Sequence, residues 1–68
     1  MKVYIVLCYN NIIKVCASKE KALLEVKENL KRFVDEEGMM LVNANEILED
    51  LKEKGDSWLY HIEEWNVY

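Results

Sequence analysis

The chain opens on two dense apolar runs, residues 3–9 and residues 12–17, which are separated by Asn10 and Asn11. Val, Ile, Tyr and Cys dominate both runs, a composition typical of β-strands. Asparagine tolerates the positive φ angles that a tight two-residue turn requires, so the pair can close the two runs into a ribbon. The pattern therefore predicts a β-hairpin over residues 2–17, with its turn at Asn10 and Asn11.

Pairing across that turn sorts the hairpin side chains onto two faces, because neighbours along a strand point to opposite sides. The first predicted face is entirely apolar and consists of Tyr4, Val6, Cys8, Ile13, Val15 and Ala17. The second consists of Val3, Ile5, Leu7, Tyr9, Ile12, Lys14 and Cys16. We expect the helices on the first face and solvent or a partner on the second, because only the second holds a lysine. Cys8 and Cys16 then point apart, which argues against a disulfide.

A helical pattern follows Ser18, whose hydroxyl can cap the free amides of a first turn. Apolar side chains recur at helical spacing as far as about residue 37, and Gly38 is placed to end the helix in the left-handed conformation. The apolar stripe comprises Ala22, Leu23, Val26, Leu30, Phe33 and Val34. The opposite side carries charges of both signs, which indicates a solvated face.

Residues 39–42, Met-Met-Leu-Val, are apolar but too few to classify from periodicity. They are interpreted either as a plug beneath the helices or as a brief extra strand. Asn43 and Glu46 then have the spacing of a capping box. This predicts a second helix that begins at Ala44 and ends at Gly55.

The last run, residues 58–68, is rich in aromatic and β-branched residues and is predicted to be a strand. The predicted inward side chains are Tyr60 and Ile62, and the outward ones are Leu59, His61 and Glu63. Trp65 and Val67 break this alternation. A β-bulge after Glu63 and Glu64 would restore it.

These elements predict one α+β domain over residues 1–68, in the order ββααβ. Residues 3–9 have the character of a central strand, so the last strand should pair with them. The sheet is then three-stranded and antiparallel in the order 2-1-3, with both helices packed on one face.

Length and composition limit the classes of function. A chain of 68 residues forms a single domain, and 51% hydrophobic residues without any proline mark it as folded. The formal net charge of −4 argues against direct nucleic-acid binding, which needs a basic footprint. We identify no signal peptide and no apolar run near the roughly 20 residues of a membrane span. The two cysteines are therefore expected as reduced thiols in the cytoplasm.

Residues with catalytic or ligand chemistry are few. His61 is the single histidine, and no serine, cysteine or carboxylate stands at a recognisable catalytic spacing from it. A zinc site built from Cys8, Cys16 and His61 would need converging ligands, which the predicted hairpin separates. So small a domain also leaves little room for a pocket of roughly 300 Å3 or more. We therefore predict no enzymatic activity, no metal and no cofactor.

The strongest functional signal is the apolar second face of the hairpin, because such a patch is unfavourable in water and indicates contact with a partner. The predicted interface comprises Val3, Ile5, Leu7, Tyr9, Ile12, Lys14, Leu59 and Trp65. A second candidate contact, on the acidic side of the second helix, comprises Glu46, Glu49, Asp50 and Glu53. The alternative is that the second helix or residues 39–42 cover the apolar face within the same chain.

The layout MKVYIVLCY, ASKEKALLEVKENL and YHIEEWNVY resembles that of small proteins encoded by phages and other mobile elements of low-GC bacteria. The shared plan is an N-terminal hairpin, a helix opened by a Ser-x-x-x-Ala stretch (Ser18 to Ala22) and a final strand with an aromatic and acidic end. The resemblance covers most of the chain and implies no catalytic residues. Small acidic proteins of this kind are similar to inhibitors of host defence systems, such as anti-CRISPR proteins, which implies a host protein as partner.

The leading hypothesis is a non-enzymatic interaction module that forms a homodimer through its apolar face. The resemblance adds the expectation that this module inhibits a host nuclease or defence complex. One alternative is a structural or regulatory protein that binds only itself. Another is a sensor that binds a small ligand on Tyr9, Trp58 and Trp65.

Overall fold

The computed structural model of the protein describes residues 1–67 and contains three β-strands and two α-helices. In chain order they are β1 (Lys2–Cys8), β2 (Asn11–Cys16), α1 (Lys19–Leu30), α2 (Ala44–Lys54) and β3 (Tyr60–Asn66). The strands form one antiparallel sheet in the order β2-β1-β3. The predicted α+β class and the strand order 2-1-3 are therefore confirmed.

The hairpin turn lies one residue earlier than predicted. Tyr9 and Asn10 occupy its central positions, with φ angles of 50° and 67°. Asn11 already belongs to β2 and pairs with Cys8. Positive φ at both central residues is typical of a type I′ turn, whose twist matches that of the flanking strands. The predicted turn at Asn10 and Asn11 is wrong. It overlaps the observed turn at Tyr9 and Asn10, and composition alone does not choose between two overlapping turns.

A β-bulge in β2 shifts the pairing a second time. The pairs are Tyr4–Cys16, Ile5–Val15, Val6–Lys14, Leu7–Ile12 and Cys8–Asn11. Ile13 is thus the extra residue of the bulge. Because opposed residues share a face, Lys14 and Cys16 lie on the same side as Val6, whereas Val15 lies on the other side. The predicted faces of Lys14, Val15 and Cys16 are wrong, since the bulge reverses the alternation that a regular hairpin would have.

β3 pairs with β1 in continuous register, with Val3 opposite Trp65. The predicted bulge after Glu64 is wrong, because the irregularity of the sheet lies in β2. Tyr60 points inward as predicted and is buried. Trp65 has the opposite orientation and shares a face with Val3. Tyr68, the last residue of the predicted strand, lies outside the described residues.

One hydrophobic core joins the sheet to both helices. Its buried members are Val6, Cys16, Ala22, Val26, Leu30, Ile47, Leu51, Leu59, Tyr60 and Ile62. Cys8 packs against this cluster and Cys16 belongs to it, so the prediction that the two side chains point apart is wrong. Both thiols are nevertheless free. Cys16 pairs with Tyr4 and therefore stands roughly 13 Å along the sheet from Cys8.

α1 begins where predicted and ends early. The Ser18 hydroxyl accepts a hydrogen bond of 3.2 Å from the Lys21 amide, which confirms the predicted cap. The helix stops at Leu30, well before residue 37, and a small hairpin follows in which Val34 bridges Met40.

Asp35 organises this small hairpin and accounts for the early end of α1. Its carboxylate accepts hydrogen bonds from the amides of Glu37 at 2.9 Å and Met39 at 2.8 Å. Side-chain bonds of this kind compete with helical backbone bonds. Gly38, with φ of 83°, therefore lies in a turn and does not cap the helix. Residues 39–41 are exposed, so of the predicted plug 39–42 only Val42 packs against the core.

α2 matches the prediction at both ends. Asn43 Oδ1 accepts a hydrogen bond of 3.1 Å from the Glu46 backbone amide, and the Asn43 side-chain Nδ2 donates one of 3.4 Å to the Glu46 carboxylate. Gly55 ends the helix with φ of 70° and donates to the Leu51 carbonyl at 2.9 Å. Within residues 1–67, neither helix has the length and apolar character needed to cross a bilayer.

Substituting Tyr9 by Asn should raise the free energy of unfolding by about 1 kcal/mol. An aromatic residue at positive φ is strained, whereas Asn adopts this conformation readily. Urea denaturation measures the change. As a control, Asn11→Gly should lower stability by about 0.5–1 kcal/mol, because Gly weakens a strand. If Asn11→Gly raised the free energy of unfolding and Tyr9→Asn did not, the position of the turn at Tyr9 and Asn10 would be contradicted.

Candidate interaction surface

The sheet residues that alternate with the core residues form a second face. We call it the outer face and define it as Val3, Ile5 and Leu7 of β1, Ile12 and Val15 of β2, and His61, Glu63 and Trp65 of β3. Its aliphatic members all lie on the adjacent strands β1 and β2. The register therefore gathers the apolar side chains into one contiguous area.

The outer face is accessible to solvent. Ile12, Val15 and Trp65 expose 65%, 54% and 54% of their surfaces. The three members on β1 are half-buried, and none of them belongs to the core or packs against it. A central strand loses part of its exposure to the neighbouring strands, so half-burial there does not require a covering layer.

A chain of polar contacts follows β3 along one edge of the outer face. Asp56 Oδ1 lies 3.2 Å from His61 Nδ1, and Glu63 Oε1 lies 3.9 Å from His61 Nε2. The Trp65 indole N–H donates to Glu63 Oε2 over 3.2 Å. His61, Glu63 and Trp65 align because residues two apart on a strand share a face. We call these three residues with Asp56 the polar margin.

Three residues of the predicted interface lie outside the outer face. Leu59 is buried in the core with 3% of its surface exposed, because it precedes β3 and escapes the alternation of the strand. Lys14 lies on the core side of the sheet, where its ammonium group is 3.9 Å from the Glu25 carboxylate of α1. Tyr9 lies in the hairpin turn at the end of the outer face. The members that the outer face retains are Val3, Ile5, Leu7, Ile12 and Trp65.

The four acidic residues of the second predicted contact lie on α2. Glu46, Glu49 and Glu53 are exposed, and Asp50 is half-buried. Glu46 also takes part in the N-terminal cap of its own helix. Its carboxylate is thus already engaged, which leaves the other three as the accessible acidic group.

A cleft of about 410 Å3 lies where the hairpin turn meets the turn before β3. We call it the aromatic cleft, and it is lined by Tyr9, Asn10, Asp56, Ser57, Trp58, Leu59 and His61. Tyr9 and Trp58 expose 67% and 57% of their surfaces. His61 belongs to the cleft and to the outer face, so the two surfaces are continuous. The cleft is open to solvent, because it forms between two surface turns and not inside the core.

Ser57 fixes the turn before β3. Its amide and its hydroxyl both donate to the Tyr60 carbonyl at 2.8 Å, and the hydroxyl accepts from the Tyr60 amide at 3.0 Å. Asp56 and His61 close the turn as a bridged pair. The Ser57 hydroxyl is therefore committed to the backbone, and this arrangement does not make it a nucleophile activated by His61. The contact between Asp56 and His61 has no signal in the sequence, because a turn creates it.

The cysteines and the histidine do not converge on one point. Cys8 and Cys16 face the core, whereas His61 lies on the outer face. No group of three His, Cys, Asp or Glu side chains in residues 1–67 is arranged to hold a metal ion.

An ion pair lies at the end of the sheet remote from the aromatic cleft. Lys2 Nζ is 3.0 Å from Glu64 Oε1, and the Tyr4 hydroxyl donates to the same oxygen at 3.3 Å. The hydrogen bond and the charge of Lys2 lower the pKa of Glu64, and the same pair raises the pKa of Lys2. Both side chains are exposed, so the contact joins two strands and adds little stability.

Comparisons with protein-family models, with curated proteins and with solved structures found no match to this chain. Inferences about function therefore rest on the geometry and chemistry of the outer face and the aromatic cleft.

Proposed function

We propose that the protein is a non-enzymatic interaction module that forms a homodimer by packing the outer faces of two copies together. In this arrangement both helices lie on the core side of the sheet. The observation that carries the proposal is the exposure of Ile12, Val15 and Trp65 beside the aliphatic residues of β1. A cover formed by α2 or by residues 39–42 would bury these side chains, so their exposure argues against that alternative.

The distribution of polar and apolar groups favours a dimer in which two copies meet through their outer faces and not through the edge of a strand. The aliphatic area of β1 and β2 beside the polar margin reproduces the apolar centre and polar rim common in interfaces. A two-fold axis brings the same patch of both copies into contact. Both strand edges oppose pairing with another chain, because β2 carries a bulge and Lys14 while β3 carries Glu63 and Glu64.

The size of the outer face sets the expected affinity. Three strands about 4.8 Å apart, with roughly seven residues of about 3.3 Å each, cover on the order of 300 Å2 in projection. Stable interfaces bury about 800 Å2 per partner, and interfaces below about 600 Å2 per partner are weak. We therefore expect a weak dimer, with a dissociation constant between about 10 μM and about 1 mM.

The total accessible surface is consistent with an uncovered face. The protein exposes 5080 Å2, whereas a compact monomer of 8.1 kDa exposes roughly 4500 Å2. The elongated shape, 46 by 19 by 19 Å, accounts for part of this excess. The exposed apolar side chains of the outer face and of residues 39–41 make part of the exposed surface apolar.

Replacing Leu7 by Lys should dissociate the dimer, because a charge at the centre of the interface would be buried without a partner. Sedimentation equilibrium from about 10 μM to about 1 mM should show a concentration-dependent mass for the unaltered protein and a monomer for the variant. Ile12→Lys should act in the same direction. It tests the interface without touching the central strand, so its result does not depend on how Leu7→Lys folds.

Leu24→Lys is the matched control, because Leu24 lies on α1 and exposes 61% of its surface. It should leave the dimer intact, and circular dichroism should show the same fold for all three variants. A monomer at every concentration of the unaltered protein would contradict the proposal. Equal dissociation by Leu24→Lys would also contradict it, because the effect would then not be specific to the outer face.

Inhibition of a host defence complex, which the resemblance suggests, stays a prediction. The outer face carries no feature that is particular to such a target, and self-association alone accounts for its apolar character.

A further inference from the structure

We propose that the aromatic cleft binds the guanidinium group of an arginine side chain presented by a partner protein. The cleft lies on two turns at the end of the sheet, and its lining shares only His61 with the outer face. The proposal therefore goes beyond self-association and does not depend on it.

Two exposed aromatic rings supply the first half of the site. Tyr9 and Trp58 line the same cleft and are each more than half exposed. Exposed aromatic side chains present negative ring faces, which attract cations over a few ångströms. Trp is the most effective ring in this role, and guanidinium groups occupy such positions more often than ammonium groups.

The charge of the cleft supplies the second half. Asp56 is the one carboxylate among the lining residues, and no lysine or arginine is part of the lining. The Asp56 carboxylate contacts His61 through Oδ1. Its side chain is 65% exposed, which leaves room for a donor to approach. A cation is therefore complementary to the cleft, and the net charge of −4 acts in the same direction at long range.

The combination of rings and a carboxylate favours arginine over other cations. A planar guanidinium can stack on an aromatic ring while its in-plane N–H groups reach a carboxylate. A quaternary ammonium group has no N–H to donate, so it would not use Asp56. A lysine ammonium group offers no plane to stack, so it would use the rings less well.

The backbone around the cleft is ordered before any ligand binds. The three hydrogen bonds between Ser57 and Tyr60 hold Trp58 at the tip of a tight turn. Tyr9 adopts positive φ, a conformation that is strained for an aromatic residue. A strained residue with an exposed ring points to a functional constraint at that position. Pre-ordering of this kind lowers the entropy lost on binding.

NMR titration of the 15N-labelled protein with the blocked peptide acetyl-Gly-Arg-Gly-amide tests the proposal. The indole N–H signal of Trp58 and the amide signals of Asp56 and Ser57 should shift in a saturable manner. The indole signal of Trp65 is an internal reference, because Trp65 lies on the outer face and bonds Glu63. The matched peptide with Lys in place of Arg should bind at least about threefold more weakly.

Substitutions in the cleft should weaken the arginine peptide selectively. Trp58→Leu and Asp56→Asn should each lower the affinity by about twofold to fivefold, as expected for exposed cation–π and charged contacts. Trp65→Leu is the matched control and should leave the affinity unchanged. Leu7→Lys should also leave it unchanged, even though it disrupts the proposed dimer, so the two proposals fail independently.

Three results would overturn the proposal. One is the absence of saturable shifts at Trp58. Another is equal binding of the lysine and arginine peptides. The third is a combined result: Asp56→Asn binds the arginine peptide with unchanged affinity, and the unaltered protein binds adenosine as tightly as it binds that peptide. This result would identify a stacking surface for bases in place of a cation site.

Discussion

Replacement of Leu51 by Ala should lower the free energy of unfolding by about 2–5 kcal/mol. Leu51 is fully buried on α2, within the core that joins both helices to the sheet. Its removal deletes apolar contacts and leaves a cavity that so small a core cannot fill by relaxation. A domain of this length has a total stability of roughly 3–10 kcal/mol, so the variant should be largely unfolded at moderate urea concentrations. Urea denaturation followed by circular dichroism measures the loss.

Leu24→Ala makes the same chemical change on the other helix, at a residue that is mostly exposed. It should alter the free energy of unfolding by less than about 0.5 kcal/mol. If both variants lost the same stability, the assignment of Leu51 to the core and of Leu24 to the surface would be wrong.

The elements that sequence predicted well are those fixed by local chemistry. Ser18 and Asn43 cap helices because their side-chain oxygens reach amides three residues on. Gly55 ends α2 because it adopts positive φ without strain. The strand order followed from the apolar character of β1, since after Lys2 this strand carries no charged side chain, and such a strand is most stable at the centre of a sheet. Each inference needed only neighbours in the sequence or one global preference.

The errors in the fold arose where two local solutions compete. A turn at Tyr9 and Asn10 and a turn at Asn10 and Asn11 differ by one residue, and the bulge at Ile13 compensates for part of the shift. Such differences amount to about 1 kcal/mol or less, and packing in three dimensions decides them. The end of α1 is similar, because the side chain of Asp35 stabilises a turn that the apolar periodicity does not reveal.

The predictions for the candidate sites were also right where the strands are regular and wrong beyond an irregularity. Alternation along β1 predicted Val3, Ile5 and Leu7 on one face, and the register agrees. Lys14 and Leu59 were misplaced because each lies beyond an irregularity, the bulge in one case and the turn before β3 in the other. One alternative placed Tyr9, Trp58 and Trp65 together as a small-ligand site, whereas the cleft contains Tyr9 and Trp58 without Trp65, because it forms where two turns distant in sequence meet. Its exposed aromatic residues were the one signal that the sequence offered.

The protein should lose stability between pH 10 and pH 12 through the ionisation of Tyr60. Burial raises the pKa of Tyr60 to about 12, from an ordinary value near 10, with a smaller contribution from Cys8. Above pH 10 the unfolded chain releases this proton while the folded protein retains it, so a rise in pH favours the unfolded state. The stabilisation is complete below pH 10 and disappears as the pH approaches 12. Its size is on the order of 2 kcal/mol.

Tyr60→Phe isolates this effect, because it keeps the ring that packs edge to face on Phe33 and removes only the ionisable hydroxyl. The hydroxyl donates to the Asn29 side chain, so the variant should be slightly less stable at neutral pH. All other ionisable groups are the same in both proteins, so their contributions cancel in the difference. The urea midpoint of the unaltered protein should therefore fall more steeply with pH than that of the variant. Parallel curves would show that Tyr60 ionises equally in both states, and hence that its hydroxyl is not buried as the fold requires.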